Sequence, residues 1–472
     1  MKGLARLSLA YGTADVLAQG INFLLVPLYL AYLTPTDYGA LALLLLLSTF
    51  LKIVFRLGLD GGFLRIFYDL EEAQRSRFAG TVAIFSAAFA STAFALVWIF
   101  SAEVSKALFE NTEGVLWVRL VAGDLLASSF VFVPFALLRI EGKAAIFSTY
   151  SLIRHAANTV LKVILVMMGL GVTGALISDL AGSALLAILL FVELRKRATV
   201  AFDWAPLREA LRFGLPKVPH GVLVQTLNLA DRRILESFVS LAEVGIYQVG
   251  NSFAAAMKFP LSAFEPAWQP FVFEHAKKEH GPKEIALVAT RMSIVFIAAA
   301  LGLALVLPDV LRLVSRKVAY HAGAPIVPVM VLAYLFQGFF LLASVGITVA
   351  KEARYYPMIT AAAAALNIGL NFWLIPHYGI LASAWATVAG YALMAFLGAA
   401  ISQRLYPIPI QWTRIFGAFA ASVVFFLLGA SMDASLVAAL GRVGLAITFI
   451  VFGWRAILDD ADRLELKKVV GL

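Results

Sequence analysis

Leu211-Arg-Phe-Gly-Leu-Pro-Lys-Val-Pro-His-Gly-Val-Leu-Val-Gln-Thr-Leu-Asn-Leu-Ala-Asp-Arg-Arg-Ile-Leu-Glu236, continued by Ser237-Phe-Val-Ser-Leu-Ala-Glu-Val-Gly-Ile-Tyr-Gln-Val-Gly-Asn-Ser-Phe253, reads as a second beginning of the chain. Gln225 and Asn228 repeat Gln19 and Asn22 at a displacement of 206 residues, and Glu243 and Gly245 repeat Asp37 and Gly39 at the same displacement. Register held across an apolar segment and the turn after it predicts two structurally equivalent halves, a plan common among membrane transporters. A later match supports it. Gly171 to Leu185 and Gly379 to Leu393, displaced by 208, share Ala-Gly-x-Ala-Leu. Small residues also let membrane helices pack closely, so this second match draws its weight from the first.

Composition sets the class. Of 472 residues, 61% are hydrophobic and 14% charged. Runs of about 20 apolar residues, the length of a bilayer-spanning helix, recur throughout. The expected fold is an all-α polytopic membrane protein with about fourteen transmembrane helices: two pseudo-symmetric six-helix lobes, residues 1–205 and 206–405, then two additional helices and a tail over 406–472. The polar, Pro-punctuated segment Asp203 to Arg212 is the interfacial linker between the halves. There is no cysteine, hence no disulfide framework or thiolate chemistry. A net charge of +9 reports topology first, because Lys and Arg concentrate in cytoplasmic loops. The loops with Arg75, with Arg195-Lys196-Arg197 and with Lys277 belong inside. The turn Leu33 to Gly39 and the acidic stretch with Glu103, Glu110 and Glu113 belong outside, and both termini are cytoplasmic. Pro308 to Gly323 resists this rule, since it carries Arg312, Arg316 and Lys317 where alternation demands an outer loop.

Four motifs carry a family resemblance: Leu33-Thr-Pro-Thr-Asp-Tyr-Gly39 after the first helix, Phe213-Gly-Leu-Pro216 opening the seventh, Ala230-Asp-Arg-Arg-Ile-Leu-Glu236 closing it, and Glu243-Val-Gly-Ile-Tyr247 opening the eighth. Together they resemble the polysaccharide biosynthesis and oligosaccharide flippase family, within the multidrug/oligosaccharidyl-lipid/polysaccharide exporter superfamily that also contains the lipid II flippase. The resemblance covers nearly the whole chain. It implies two lobes around a central cavity, alternating access, and flipping or export of a lipid-linked glycan across the cytoplasmic (inner) membrane. The implied partners are that lipid-linked glycan, membrane lipids and glycan polymerase or glycosyltransferase machinery. Cofactor, metal and nucleic acid are not expected.

Ionisable groups at membrane depth are costly and face a cavity or a partner. In the fifth segment Arg154, Asn158 and Lys162 share one face over about 12 Å of depth. Arg and Lys at that spacing suit a diphosphate; the competing reading has Arg154 snorkelling to the surface and Asn158 joining helices. Asn367 and Asn371 are the counterparts of Asn158 and Lys162 in the eleventh segment, displaced by 209. The first half is therefore basic here and the second neutral. Gln19, Asn22, Gln225 and Asn228 form a second polar set, on helices that Pro27, Pro216 and Pro219 can bend. Asp15, on the Gln19 face, is the candidate titrating or cation-binding carboxylate, or else a hydrated interfacial one. Asp231 and Arg232 are coupling or gating candidates, or an internal ion pair. Asp124, Asp179 and Lys258 are lone charges whose facing the sequence leaves open. His155 and His220 read as interfacial.

Enzymatic readings lack their parts: there is no P-loop and no His-Glu-x-x-His motif. Two alternatives remain beside the flippase: a cation-coupled multidrug antiporter of the same superfamily, which favours an acidic cavity, and a membrane-embedded glycan polymerase or ligase, which needs a large outer domain.

Overall fold

The computed structural model describes residue 20 and residues 25–276, 278–350, 352, 354–433 and 435–452. Within those ranges the side chains of His220 and Asn228, among a few others, fall outside the description, as do Asp15, Gln19, Asn22 and Lys277 entirely.

The described residues form helices joined by short connections, with no strand among them. After a helical stretch at 25–32 come α1 (Pro35–Arg56), α2 (Leu59–Asp69), α3 (Glu72–Ile99), α4 (Ser101–Phe109), α5 (Val115–Ile140), α6 (Ala144–Leu165), α7 (Gly171–Arg195), α8 (Trp204–Gly214), α9 (Val218–Glu236) and α10 (Leu241–Ala254). Then follow α11 (Lys258–His275), α12 (Gly281–Val314), α13 (Ile326–Ala343), α14 (Val345–Val349), α15 (Tyr355–Leu405), α16 (Trp412–Ala430) and α17 (Leu436–Phe452). Eight helical stretches among the described residues are long and apolar enough to cross a membrane. Two of them, Ala145–Arg195 and Tyr355–Leu405, have 51 residues each, roughly 75 Å at 1.5 Å per residue and twice a bilayer core. Each turns back on itself at a glycine and makes two crossings. With α9, α10 continued by α11, α17 and the helical stretch at 25–32, the order agrees with the expected fourteen or so. Large apolar side chains stay exposed along these helices, Ile188 at 69% and Phe396 at 68%, as lipid-facing surface requires.

Local chemistry explains the helix boundaries. Thr34 caps α1: its hydroxyl accepts from the Asp37 backbone N–H at 3.1 Å, while the Asp37 carboxylate accepts from the Thr34 N–H at 2.9 Å. This capping box satisfies two orphan donors. Ser240 and Glu243, displaced by 206, build the same box on α10, at 3.3 and 3.0 Å. The glycines one turn further on serve close approach. A Cβ on Gly39 would lie 2.0 Å from the Leu241 carbonyl oxygen, and one on Gly245 would lie 1.8 Å from that of Pro35. Every residue in this reciprocal contact is matched to its partner by the 206-residue displacement. The stretch expected as the interfacial linker folds as α8, an amphipathic helix whose N-cap Asp203 accepts from the Ala205 N–H at 3.1 Å and which buries Leu207 and Ala210 beside Phe63, Phe78 and Phe132.

The chain divides into two compact units, Met1–Gln248 and Val249–Leu472. The start of α10 belongs to the first because its glycine contact with α1 ties it there. In the second unit Arg442, 8% exposed, fastens the last two helices. Its Nη1 pairs with Asp309 of α12 at 2.6 Å, its Nε donates to the Gly429 carbonyl at 3.0 Å, and its Nη2 reaches the Met432 and Asp433 carbonyls at 2.8 and 2.9 Å. The guanidinium thus caps α16 and neutralises Asp309 at once. The expected loop from Pro308 is corrected here: α12 continues through Pro308 to Val314, and Arg312 pairs with Asp309 at 3.3 Å. A proline is tolerated within a membrane helix where neighbours satisfy the backbone.

Candidate functional site

Gly182 of the Ala-Gly-x-Ala-Leu motif brings α6 and α7 together: a Cβ there would sit 3.1 Å from that of Asn158. At this approach polar side chains meet across the hairpin. Lys162 Nζ lies 2.7 Å from Asp179 Oδ1, and Asn158 Nδ2 donates to the same oxygen at 2.8 Å. One turn away, Arg154 Nη2 donates to Ser183 Oγ at 3.0 Å, and Ser183 donates to Asp124 of α5 at 2.5 Å. Ser128, one turn beyond Asp124, donates to Ser183 at 3.2 Å.

Arg154, Asn158 and Lys162 do share a face, as their spacing predicts. It is not a face of free cations. Asp179 holds Lys162, and Asp124 is joined to Arg154 through Ser183, so two carboxylates stand against two cations. Lys52 of α1 adds positive charge within electrostatic range of Arg56, Arg154, Asp60 and Asp124. Lys162 is 8% exposed, whereas the Asp179 side chain is 37% exposed. Asp124, Lys162 and Asp179 line a cavity of about 230 Å³, with Tyr29, Ser48 and Gln248 among the other lining residues.

Asp231 and Arg232 form the internal ion pair that the sequence allowed. They are 2% and 3% exposed and meet at 2.6 Å. The Tyr247 hydroxyl donates to the other oxygen of Asp231, and Arg232 Nε donates to Gln248 at 3.2 Å. Gln248 connects this network to the cavity wall. Gln225 is half-buried on α9. Asp15, Gln19, Asn22 and the Asn228 side chain lie outside the described residues.

In the second unit the same hairpin recurs without charge. Asn367 Nδ2 donates to Thr387 Oγ1 at 3.3 Å, where Thr387 is displaced from Asp179 by 208. Asn371, the counterpart of Lys162, donates to Asn367 Oδ1 at 3.1 Å. Asn367 and Asn371 are 0% exposed. The two hairpins even share their turn: Gly171 has φ 53° and ψ −130°, and Gly379 has φ 61° and ψ −146°. Among the described residues no group of three or more His, Asp or Glu side chains could hold a metal ion.

The sequence leaves the facing of Asp124 and Asp179 open and does not single out Ser183, Lys52, Tyr247 or Gln248 as functional. Asp124 with Ser128, and Asp179 with Ser183, each stand four residues apart within apolar runs; that pairing of polar residues on one helix face was the available signal.

The fold and site define a class: a multi-pass membrane protein of repeated helix hairpins, with an ion-paired polar cluster at a cavity in its first unit. Within that class the chain belongs to the polysaccharide biosynthesis protein family, whose profile matches residues 31–273. In fold it is similar to the lipid II flippase MurJ in an inward closed conformation, with a TM-score of 0.78 at 13% identity, covering 94% of this chain and 98% of that one. It is also similar to an inward-facing multidrug resistance MATE family transporter of the MOP superfamily, with a TM-score of 0.69 at 17% identity and coverages of 86% and 96%. A third similar fold is the MATE multidrug transporter DinF-BH in complex with R6G, with a TM-score of 0.61 at 16% identity and coverages of 85% and 95%. No curated protein matches the sequence. The expected family resemblance holds, and the fold is similar to those of the flippase and transporters just named.

Proposed function

We propose that this chain flips or exports an anionic, lipid-linked oligosaccharide or polysaccharide precursor across the cytoplasmic membrane by alternating access, receiving the (pyro)phosphate headgroup at Arg154. One observation carries the reading. Arg154 Nε is buried and without a hydrogen-bond partner among the described residues, while Nη2 is held by Ser183. A buried, unsatisfied guanidinium donor costs free energy that a phosphate oxygen removes, and the planar fork matches that ligand. Lys52 supplies further positive charge nearby, and Lys162 adds positive charge on the same helix face. Family membership and the lipid II in the name of the similar flippase support a lipid-linked glycan precursor as cargo. In this reading the duplication boundary lies near residue 205, and the termini and the loops with Arg75, Arg195 and Lys277 face the cytoplasm. Gln225, Asn228, Gln19, Asn22, Asn367 and Asn371 contact substrate, and Asp15 with the Asp231/Arg232 pair takes part in coupling or gating.

A charge-assisted hydrogen bond contributes about 1.5 to 3 kcal/mol, so R154A should weaken headgroup binding by roughly ten- to a hundred-fold, with N371A affected less. The measurement is binding and flipping of a polyprenyl-diphosphate-linked glycan in proteoliposomes, with folded protein matched between variants. Unchanged flipping by R154A ends the headgroup assignment. The multidrug-antiporter reading draws on Asp179, whose exposed carboxylate sits on the cavity wall. Transport of an organic cation in the same vesicles, with no movement of the glycan lipid, would put that reading first.

A further inference from the structure

The two hairpins differ in a paired way. Where the first has ammonium and carboxylate, Lys162 and Asp179, the second has the amide of Asn371 and the hydroxyl of Thr387, while the Asn158 to Asp179 hydrogen bond keeps its counterpart in Asn367 to Thr387. Both charges are present in one half and both are absent from the other, so they behave as a unit. A carboxylate at membrane depth with no fixed partner must take a proton or a metal cation from solution. Asp179 has its cation already, 2.7 Å away on a side chain that is itself 10% exposed.

The groups facing Asp179 come from every element around it. Lys162 and Asn158 approach from α6, Asp124 stands on α5, and Tyr29 and Tyr38 line the same cavity. Arg154 and Lys52 act on Asp124.

We infer that Lys162 is a built-in counter-ion: its tethered ammonium fills the place of a dissolved coupling cation beside Asp179, so that the acidic site of the first half is complete without sodium, potassium or an added proton. Transport is then not driven by ion exchange at this position. The inference rests on the geometry of the pair and not on the identity of the substrate.

The test uses full-length protein in detergent and thermal unfolding with sodium, potassium or lithium chloride replacing N-methylglucamine chloride at constant ionic strength. Wild type should show no saturable response to any alkali cation. K162A should lose about 3–10 °C in Tm and recover part of it saturably with one of these ions. K162R should behave like wild type, and K162A/D179N should lose both the defect and the ion response. A merely structural ion pair would also give the defect and its rescue by the double variant, but no saturable, ion-selective recovery. If K162A does not accumulate as folded protein, K162M, which keeps the bulk of the stem, carries the same measurement. A wild-type cation response that Lys162 replacement leaves unchanged overturns the inference, as does a folded Lys162 variant indifferent to every cation.

Discussion

Glu141, in the connection between α5 and α6, accepts from Lys143 Nζ at 2.7 Å and from Arg197 Nε at 2.8 Å, and Arg197 is also paired with Glu193. Partial burial pushes the Glu141 carboxyl up, but the hydrogen bonds and charges of Lys143 and Arg197 outweigh it and hold the group below its ordinary value. A lowered folded value means that the clasp's stabilisation is fully present above about pH 4.3, the unperturbed glutamate value, and is lost as pH falls through the folded one. Because Glu141 and Lys143 keep side-chain exposures of 30% and 45%, solvent screens the clasp and its contribution is small, about 0.5–1 kcal/mol. E141Q should therefore lower Tm slightly at neutral pH, and the difference from wild type should shrink and vanish as pH falls through the lowered folded value. Thermal melts of both proteins across that range check it; a gap that widens with acidification contradicts the assignment.

The hairpin is the element that the chain uses twice, and its turn depends on backbone conformation. Gly171 and Gly379 occupy a region of positive φ and strongly negative ψ that only glycine enters without strain. G171A and G379A should each destabilise by about 1–3 kcal/mol. G369A, in an exposed helical position with nothing within 4 Å of the added methyl group, should be neutral or stabilising by up to about 1 kcal/mol. Denaturation of the three purified variants distinguishes conformational strain from a general cost of filling glycine positions. A G171A protein as stable as G369A would remove the strain argument. The sequence marked Gly171 and Gly379 as equivalent through the 208-residue displacement, but their shared dihedral angles emerge only when each chain reversal is built.

At the scale of the whole molecule, the alternation of basic and acidic loops predicts which side each connection faces. The absence of native cysteine makes this directly measurable. A single cysteine introduced near Arg195 should resist an impermeant external thiol reagent in intact cells, whereas one at Thr36, exposed in the first turn of α1, should be labelled. The reverse pattern would invert the topology, and labelling of both would mean that the loop charges do not set it. The proposed flippase direction depends on this result, since the headgroup must enter from the side on which it is made.

Much was legible without coordinates because it is written in periodicity and composition. Apolar runs of bilayer length dictate helices, since hydrocarbon leaves backbone groups no partners outside the helix. A displacement that stays between 206 and 209 residues predicts that helices recur, and i, i+4 spacing puts Arg154, Asn158 and Lys162 on one face. What those residues meet was not legible. In a segment that is apolar all round, no amphipathic stripe says which face looks inward, so Asp124 and Asp179 remained lone charges in the sequence. Only the approach of α6 to α7, permitted by Gly182, brings Asp179 to Lys162 and turns a ladder of cations into a balanced pair. Interaction of charges depends on distances of a few ångströms across elements, and that is the quantity the order of residues does not contain.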